Sequence, residues 1–367
     1  MLAAVLEHAG HPLRIMSVPR PQPGPGEILV RLEASGICHT DVHVWQGHLQ
    51  PASGQPTAIL GHEGVGRVVR LGAGVDGWRL GERAGIGWLH DTCGHCDECH
   101  SEMESFCQHQ RAHGFDVAGT FAEYVVADAR FAARMPDEGD AAVLAPLMCA
   151  GLTAFGAVQR ARIVAGEICA VFGCGGLGLY AIQIARRLGA TVVAVDTDEA
   201  KLELAASLGA ERTLLSSVDL ADRWPASLRV HVCINFAPTP ATWEAMVAAI
   251  RPRGRIIAAA MVSQPVPLSQ EWLTASGVWI TGTSVGTRAQ MHELIQLHAA
   301  KPFEAQVERV TLADATNALD RLKAGNAEGR LAIAFGAQHL ASRRFGKIPN
   351  RVPYCCLQSC PNNAVQA

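Results

Sequence analysis

Cys93, Cys96 and Cys99 stand at three-residue spacing, and Cys107 follows after a gap of seven residues. Four thiolates from one short lobe, about residues 90–110, can hold a zinc ion tetrahedrally and leave no coordination position free, which is the arrangement of a structural site. Chance matches become rare as ligands accumulate, so the spacing is a specific signal. A redox-sensing thiol cluster is the alternative, and it would lack stoichiometric metal. A second set of ligand types is dispersed. Cys38 lies in GICHTDVH at 36–43, His62 in GHEGVG at 61–66, and Cys149 in LMCAG at 147–151. Taken alone, Cys149 reads as an ordinary buried thiol. Taken together, the three offer a Cys/His/Cys set whose fourth position stays open to water or a substrate oxygen, as catalytic zinc requires.

A third feature is an apolar run at 168–172 leading into Gly173-Cys-Gly175-Gly176-Leu177-Gly178, then a helical pattern, then a second apolar run at 191–195 that ends in Asp196, eighteen residues after the last glycine. A glycine motif alone is weak, but strand, turn, helix, strand and acid in this order are what dinucleotide binding needs. Gly173 permits the tight turn, Gly175 lets the backbone approach a pyrophosphate, and Gly178 lets helix pack on sheet, while the helix N-terminus favours phosphate charge. Asp196 would accept hydrogen bonds from ribose hydroxyls and repel a 2′-phosphate, so the pattern favours NAD over NADP.

The elements that must position these groups fall into two textures. The chain has 367 residues, which points to two domains, and its 49% hydrophobic and 18% charged residues with a net charge of −3 suit a globular protein. This balance argues against a nucleic-acid partner. The first thirty residues carry no apolar run of signal-peptide form and no segment approaches twenty uncharged apolar residues, so no membrane association and a cytoplasmic location are expected. A chain of this length does not need disulfides, and its twelve cysteines point instead to metal. Residues 2–126 are dense in Gly and Pro with short apolar runs at 28–32, 65–69 and 121–126, a mostly β pattern. From about residue 145 apolar strands at 168–172, 191–195, 230–234, 255–260 and 278–282 alternate with amphipathic helices, which implies a parallel sheet with crossover helices. Leu177, Ala181, Ile184, Ala185 and Leu188 recur at helical spacing, and a helix at 200–208 closes at Gly209. The chain is mixed after 282, and its ordered part is expected to end near 330–335.

The stretches GICHTDVH, GHEGVGRV, CGHCDECHSEMESFC, MCAGLT and GCGGLG occur in the order found in the zinc-containing medium-chain alcohol dehydrogenases, the bacterial and yeast ethanol dehydrogenase type, and over residues 1–336 the chain resembles that family. The resemblance implies an α/β protein: a GroES-like, mostly β catalytic domain from 1–146 and 283–336, and a Rossmann NAD-binding domain, a doubly wound parallel sheet, over 147–282, with the site in the cleft. It implies two zinc ions per chain, a catalytic one on Cys38, His62 and Cys149 and a structural one on Cys93, Cys96, Cys99 and Cys107. Glu63 would sit behind the catalytic metal as a transient ligand, Asp41 would orient His62, and Thr40 would take the alcohol proton and pass it through the nicotinamide ribose to His43. His39 and Arg330 would contact the pyrophosphate and Lys201 the ribose, beside Asp196 and the turn of Gly173, Gly175, Gly176, Leu177 and Gly178. Trp45, Leu49 and Trp88 would narrow the pocket toward small primary alcohols, and the assembly would be a dimer or tetramer of this chain. The alternatives are a polyol or secondary-alcohol dehydrogenase of the same superfamily, and a non-catalytic nucleotide-binding protein, which would be expected to lose metal ligands that persist here. Two stretches depart from the family pattern, Ala258-Ala-Ala260-Met261 and Ile234-Asn-Phe-Ala-Pro238, both on the expected nicotinamide side. The segment 337–367, with Cys355, Cys356 and Cys360, has no counterpart in the family; its polar, proline-containing composition reads as poorly ordered, and its cysteines lack a fourth ligand for a metal.

Overall fold

A computed structural model describes residues 1–51, 58–262 and 264–336. Segment 337–367, and with it the expectation of poor order, lies outside them. The apolar runs of the second half form a six-stranded parallel sheet in the order Arg212–Leu215, Thr191–Asp196, Ile168–Phe172, Val230–Asn235, Ile250–Ala258, Trp279–Gly282. Its central strands read as unbroken apolar segments because helices cover both faces. Helices Ala150–Ala161 and Gly176–Arg187 pack on one another, and Ala241–Ala249 lies against Val230–Asn235. Strand order reverses between Ile168–Phe172 and Val230–Asn235, and in such sheets ligands bind outside the carboxyl ends of the strands at that point.

Two differences from the sequence expectation have simple causes. Arg212–Leu215 closes the sheet although no apolar run marks it; it is an edge strand, with Arg212, Thr213 and Leu215 exposed. The strand expected at 255–260 spans Ile250–Ala258 and stops before Ala259, because the amides of Ala259 and Ala260 turn to the carbonyl of Asn235.

The other sheet has seven strands. Glu27–Ile37 lies at its centre, antiparallel to Gly64–Leu71, to Tyr124–Asp128 and to Arg330–Ala334, with Ala332 opposite Gly36. Strands from the first forty and the last ten described residues therefore meet in one sheet, while Leu2–Val5 and Arg14–Ser17 pair with each other in a separate one. Met1–Phe335 form one compact unit. A continuous apolar cluster runs from Ala34, Val65 and Ala332 through Met148 and Leu152 to Val171 and Ile257, so the two sheets share packing. Among the described residues no single helix is long and apolar enough to cross a membrane.

Candidate active site and metal centres

Strand Glu27–Ile37 ends directly at Cys38, which caps helix His39–Trp45. The cap is made by Asp41, whose Oδ2 accepts from the Cys38 amide at 2.8 Å. Its Oδ1 accepts from the Gly61 amide at 3.1 Å and lies 3.1 Å from Nδ1 of His62. Asp41 and His62 are each 1% exposed. One carboxylate thus ties two chain segments together and holds the imidazole with its proton on Nδ1. His62 Nε2 is left as an acceptor, and it is buried with no protein partner. Cys149 comes from the break between the short turn Ala145–Met148 and helix Ala150–Ala161. Its Sγ lies 3.9 Å from that of Cys38, and the ligand atoms of Cys38, His62, Glu63 and Cys149 all fall within 4.8 Å of one another.

The electrostatics of this cluster ask for a cation. The thiol of Cys149, aimed at Cys38, holds Cys38 well below the ordinary thiol range despite its burial, and the same contact, with burial, pushes Cys149 well above it. Two adjacent buried thiols cannot both ionise unless a positive charge lies between them. Two thiolates, an imidazole nitrogen aimed inward and a nearby carboxylate form a donor set that fits zinc. Glu63 is fully buried, and Nη2 of Arg330 donates to both its oxygens at 2.5 and 2.6 Å. Burial opposes the Arg330 charge, but Glu63 and the Cys38 thiolate outweigh it and raise the guanidinium further.

The second cluster is local. Sγ–Sγ distances are 3.5 Å for Cys96 and Cys99, 3.6 Å for Cys93 and Cys107, and 3.9 Å for Cys93 and Cys99, with all four within 4.8 Å. Backbone donation from His95, outweighing desolvation, lowers the Cys93 thiol to about 7. Buried Glu104 in the same lobe accepts from the amide and Nε of Arg288, at 2.9 and 3.1 Å, which pins the lobe to helix Arg288–Ala300.

One cavity of about 500 Å³ joins the thiol pair to the glycine turn. Cys38, Cys149, Thr40 and His43 line it together with Gly173, Gly175, Gly176, Leu177, Gly178, Asp196 and Lys201, and so do His39 and Arg330. The glycines differ in purpose. Gly173 has φ +91°, a Cβ on Gly178 would stand 1.9 Å from the Gly173 carbonyl oxygen, and a Cβ on Gly175 would meet nothing within 4 Å. Gly178 is thus required by packing, and Gly175 leaves open space at the N-terminus of helix Gly176–Arg187, where an anion is favoured. Oδ2 of Asp196 accepts from the Cys174 amide at 2.6 Å and Oδ1 from the Asp198 amide at 3.1 Å, so the carboxylate is fixed at the cavity edge. Lys201 pairs with Asp198 at 3.6 Å. Arg330 is 6% exposed and lies under the turn, its Cδ 2.4 Å from where a Gly176 Cβ would stand.

Trp45 and Leu49 do not line the cavity. Trp45 is a core residue, with its indole Nε1 donating to the His11 carbonyl at 2.6 Å, and Leu49 packs on the same cluster. Trp88 does not line it either and lies edge-on to His62, ring centroids 5.2 Å apart. Further walls are Thr153, Phe236 to Pro238, Ala259 to Met261 and Thr283 to Val285. The first and last of these carry no motif. The other two fall within the stretches 234–238 and 258–261 that the sequence set on the nicotinamide side.

Residues 24–137 match the family described as alcohol dehydrogenase GroES-like domain, and residues 176–300 the family described as zinc-binding dehydrogenase. An alcohol dehydrogenase of Geobacillus stearothermophilus is 36% identical over 335 residues, covering 91% of this chain and 99% of that protein. Among solved structures, the alcohol dehydrogenase of the hyperthermophilic archaeon Aeropyrum pernix matches with a TM-score of 0.82 at 30% identity, covering 91% of this chain and 100% of the other. Acetophenone reductase from Geotrichum candidum, in complex with NAD, matches with a TM-score of 0.81 at 29% identity, covering 92% and 97%.

Proposed function

The chain belongs to the zinc-containing medium-chain alcohol dehydrogenases and is an oxidoreductase with a GroES-like domain and a Rossmann domain, and within that family we propose that it oxidises small primary alcohols to aldehydes, reversibly, with NAD as hydride acceptor. Cys38, His62 and Cys149 would hold one zinc ion, and Cys93, Cys96, Cys99 and Cys107 a second. The observation that carries the reading is the buried, unpartnered His62 Nε2 beside two thiol sulfurs in the same cavity as the glycine turn. When bound, zinc at Cys38, His62 and Cys149 supplies the Lewis acidity that makes a substrate hydroxyl acidic, and NAD accepts hydride at its nicotinamide ring.

The chain's own residues bind, orient and move the proton. Thr40, its hydroxyl 3.8 Å from Cys38 Sγ, accepts the proton of the substrate hydroxyl. His43, one helical turn further on and half-buried, is placed to take the proton on toward solvent. Asp41 keeps His62 in the tautomer that presents Nε2. Arg330 and Glu63 form a buried pair between the thiols and the turn, from which Glu63 can approach the metal and Arg330 the pyrophosphate. His39, Lys201 and Asp196 complete the cofactor contacts. A homo-oligomer, dimer or tetramer, is the expected assembly.

NAD reduction measured across primary, secondary and aromatic alcohols, with zinc determined on the same sample, tests the reading. Fastest turnover on short primary alcohols is expected. A preference for polyols or secondary alcohols would move the chain to another branch of the family, and no turnover on any alcohol in zinc-replete protein would contradict an enzymatic role.

A further inference from the structure

We infer that Asn235 is a positioning residue that holds the nicotinamide wall of the cleft in register with the glycine turn. The inference rests on the cofactor reading above. Asn235 ends strand Val230–Asn235, next to Ile168–Phe172 across the reversal of strand order. Its register partners are Phe172 on one side and Ala258 on the other. Each of these three strands ends at a wall of the cavity, so Asn235 is the junction of the glycine turn and both walls.

A polar residue closing the apolar strand VHVCI, and only 6% exposed, needs partners. Its Oδ1 accepts from the Ala237 amide at 3.0 Å, while the Thr242 hydroxyl, 3.4 Å away, has its proton on the Thr239 carbonyl at 2.7 Å. Its main-chain carbonyl accepts from the amides of Ala259 and Ala260 at 3.1 and 2.9 Å. The side chain therefore shapes the turn of Phe236 to Pro238, and the backbone anchors Ala259 to Met261.

The first turn in turn touches the dinucleotide loop. The Phe236 amide donates to the Phe172 carbonyl at 2.7 Å, and a Cβ on Gly173 would stand 2.9 Å from the Ala237 nitrogen. No slack separates the two. Pro238 has no amide with which to replace the Ala237 bond. A shift of this wall is therefore a shift against the glycine turn, and misplacement at this scale is felt in binding.

Asn235→Ala removes the acceptor and Asn235→Asp restores it. In zinc-loaded, nucleotide-free enzyme, the Ala237 amide of the Ala variant should exchange with solvent faster than in the parent, while those of Ala259 and Ala260, bonded to the main chain, stay protected. The Kd for NADH, read by fluorescence, should weaken roughly tenfold, the size expected for one lost buried hydrogen bond. Zinc content should be unchanged, KM for NAD should rise more than kcat falls, and Asn235→Asp should recover most of the binding. Should the Ala variant fail to fold, Asn235→Leu, which fills the space without an acceptor, carries the same expectations. Unchanged Ala237 exchange, NADH binding equal to the parent, or an Asp variant no better than Ala overturns the inference. A parent that binds no NADH defeats the cofactor reading and this inference with it; a parent that binds NADH while the Ala variant binds it equally defeats this one alone.

Discussion

Replacing Asp41 by Asn keeps the side chain's shape while removing its charge and one acceptor. The carboxylate serves three donors: the Cys38 amide at Oδ2, and the Gly61 amide and His62 Nδ1 at Oδ1. An amide cannot serve all three. With its oxygen at the Oδ1 position, its NH2 faces the Cys38 N–H, donor against donor. Turned over, the NH2 faces the Gly61 N–H and can satisfy His62 only if Nδ1 becomes an acceptor, which moves the ring proton to Nε2 and aims it at the metal position. Either orientation forfeits a buried hydrogen bond to a charged group, worth about 1.5–3 kcal/mol. At about 1.4 kcal/mol per decade that is roughly 10- to 150-fold, the range in which outer partners of metal-bound imidazoles act. Zinc competition against a chelator and kcat/KM for a primary alcohol should both fall by this order, with the four-cysteine zinc retained. Zinc affinity and turnover within twofold of the parent would refute the orienting role of Asp41.

The fixed carboxylate of Asp196 should make kcat/KM with NAD exceed that with NADP, and Asp196→Ala should narrow the ratio without abolishing activity; equal use of both cofactors by the parent would contradict it. Gly175→Ala should leave the melting temperature near the parent value and raise KM for NAD, since its Cβ meets only open space, whereas Gly178→Ala should lower the melting temperature because its Cβ collides with the Gly173 carbonyl. His113 is fully buried, and burial, with His90 nearby, lowers it from 6.5 to about 3. The unfolded chain then binds a proton that the folded chain refuses, so stability should fall as pH drops from about 6.5 toward 3, by up to about 1.4 kcal/mol per pH unit. His113→Gln should flatten that part of a melting-temperature profile, and an unchanged slope would refute it.

Which parts were legible follows from what a side chain reveals of its neighbours. Cys93, Cys96, Cys99 and Cys107 are close in the chain, so spacing alone placed them together, and the glycine turn carries its own geometry in its residue types. The join of Cys38, His62 and Cys149 needed the family resemblance, because 111 residues separate the two thiols. The partnership of Arg330 with Glu63 spans 267 residues and left no local trace. Trp45 was misread as a pocket wall since position along a helix does not tell which face meets the core. Arg212–Leu215 was missed because an edge strand has no continuous apolar run. Asn235 did leave a signal, a lone amide at the carboxyl end of an apolar strand, the place where such sheets bind ligands.

Metal content and turnover, measured together on the parent, Cys149→Ser and Cys107→Ser, bear most directly on the central claim of two zinc sites with separate tasks. The parent should carry about two zinc ions per chain and each variant about one, by ligand counting. Cys149→Ser should be folded and inactive, with its melting temperature near the parent value. Cys107→Ser should melt lower, with activity lost as a consequence of unfolding, because a four-thiolate zinc contributes folding free energy directly. A Cys149→Ser enzyme that keeps both zinc ions and near-parent turnover would contradict the assignment of Cys38, His62 and Cys149 as the catalytic site.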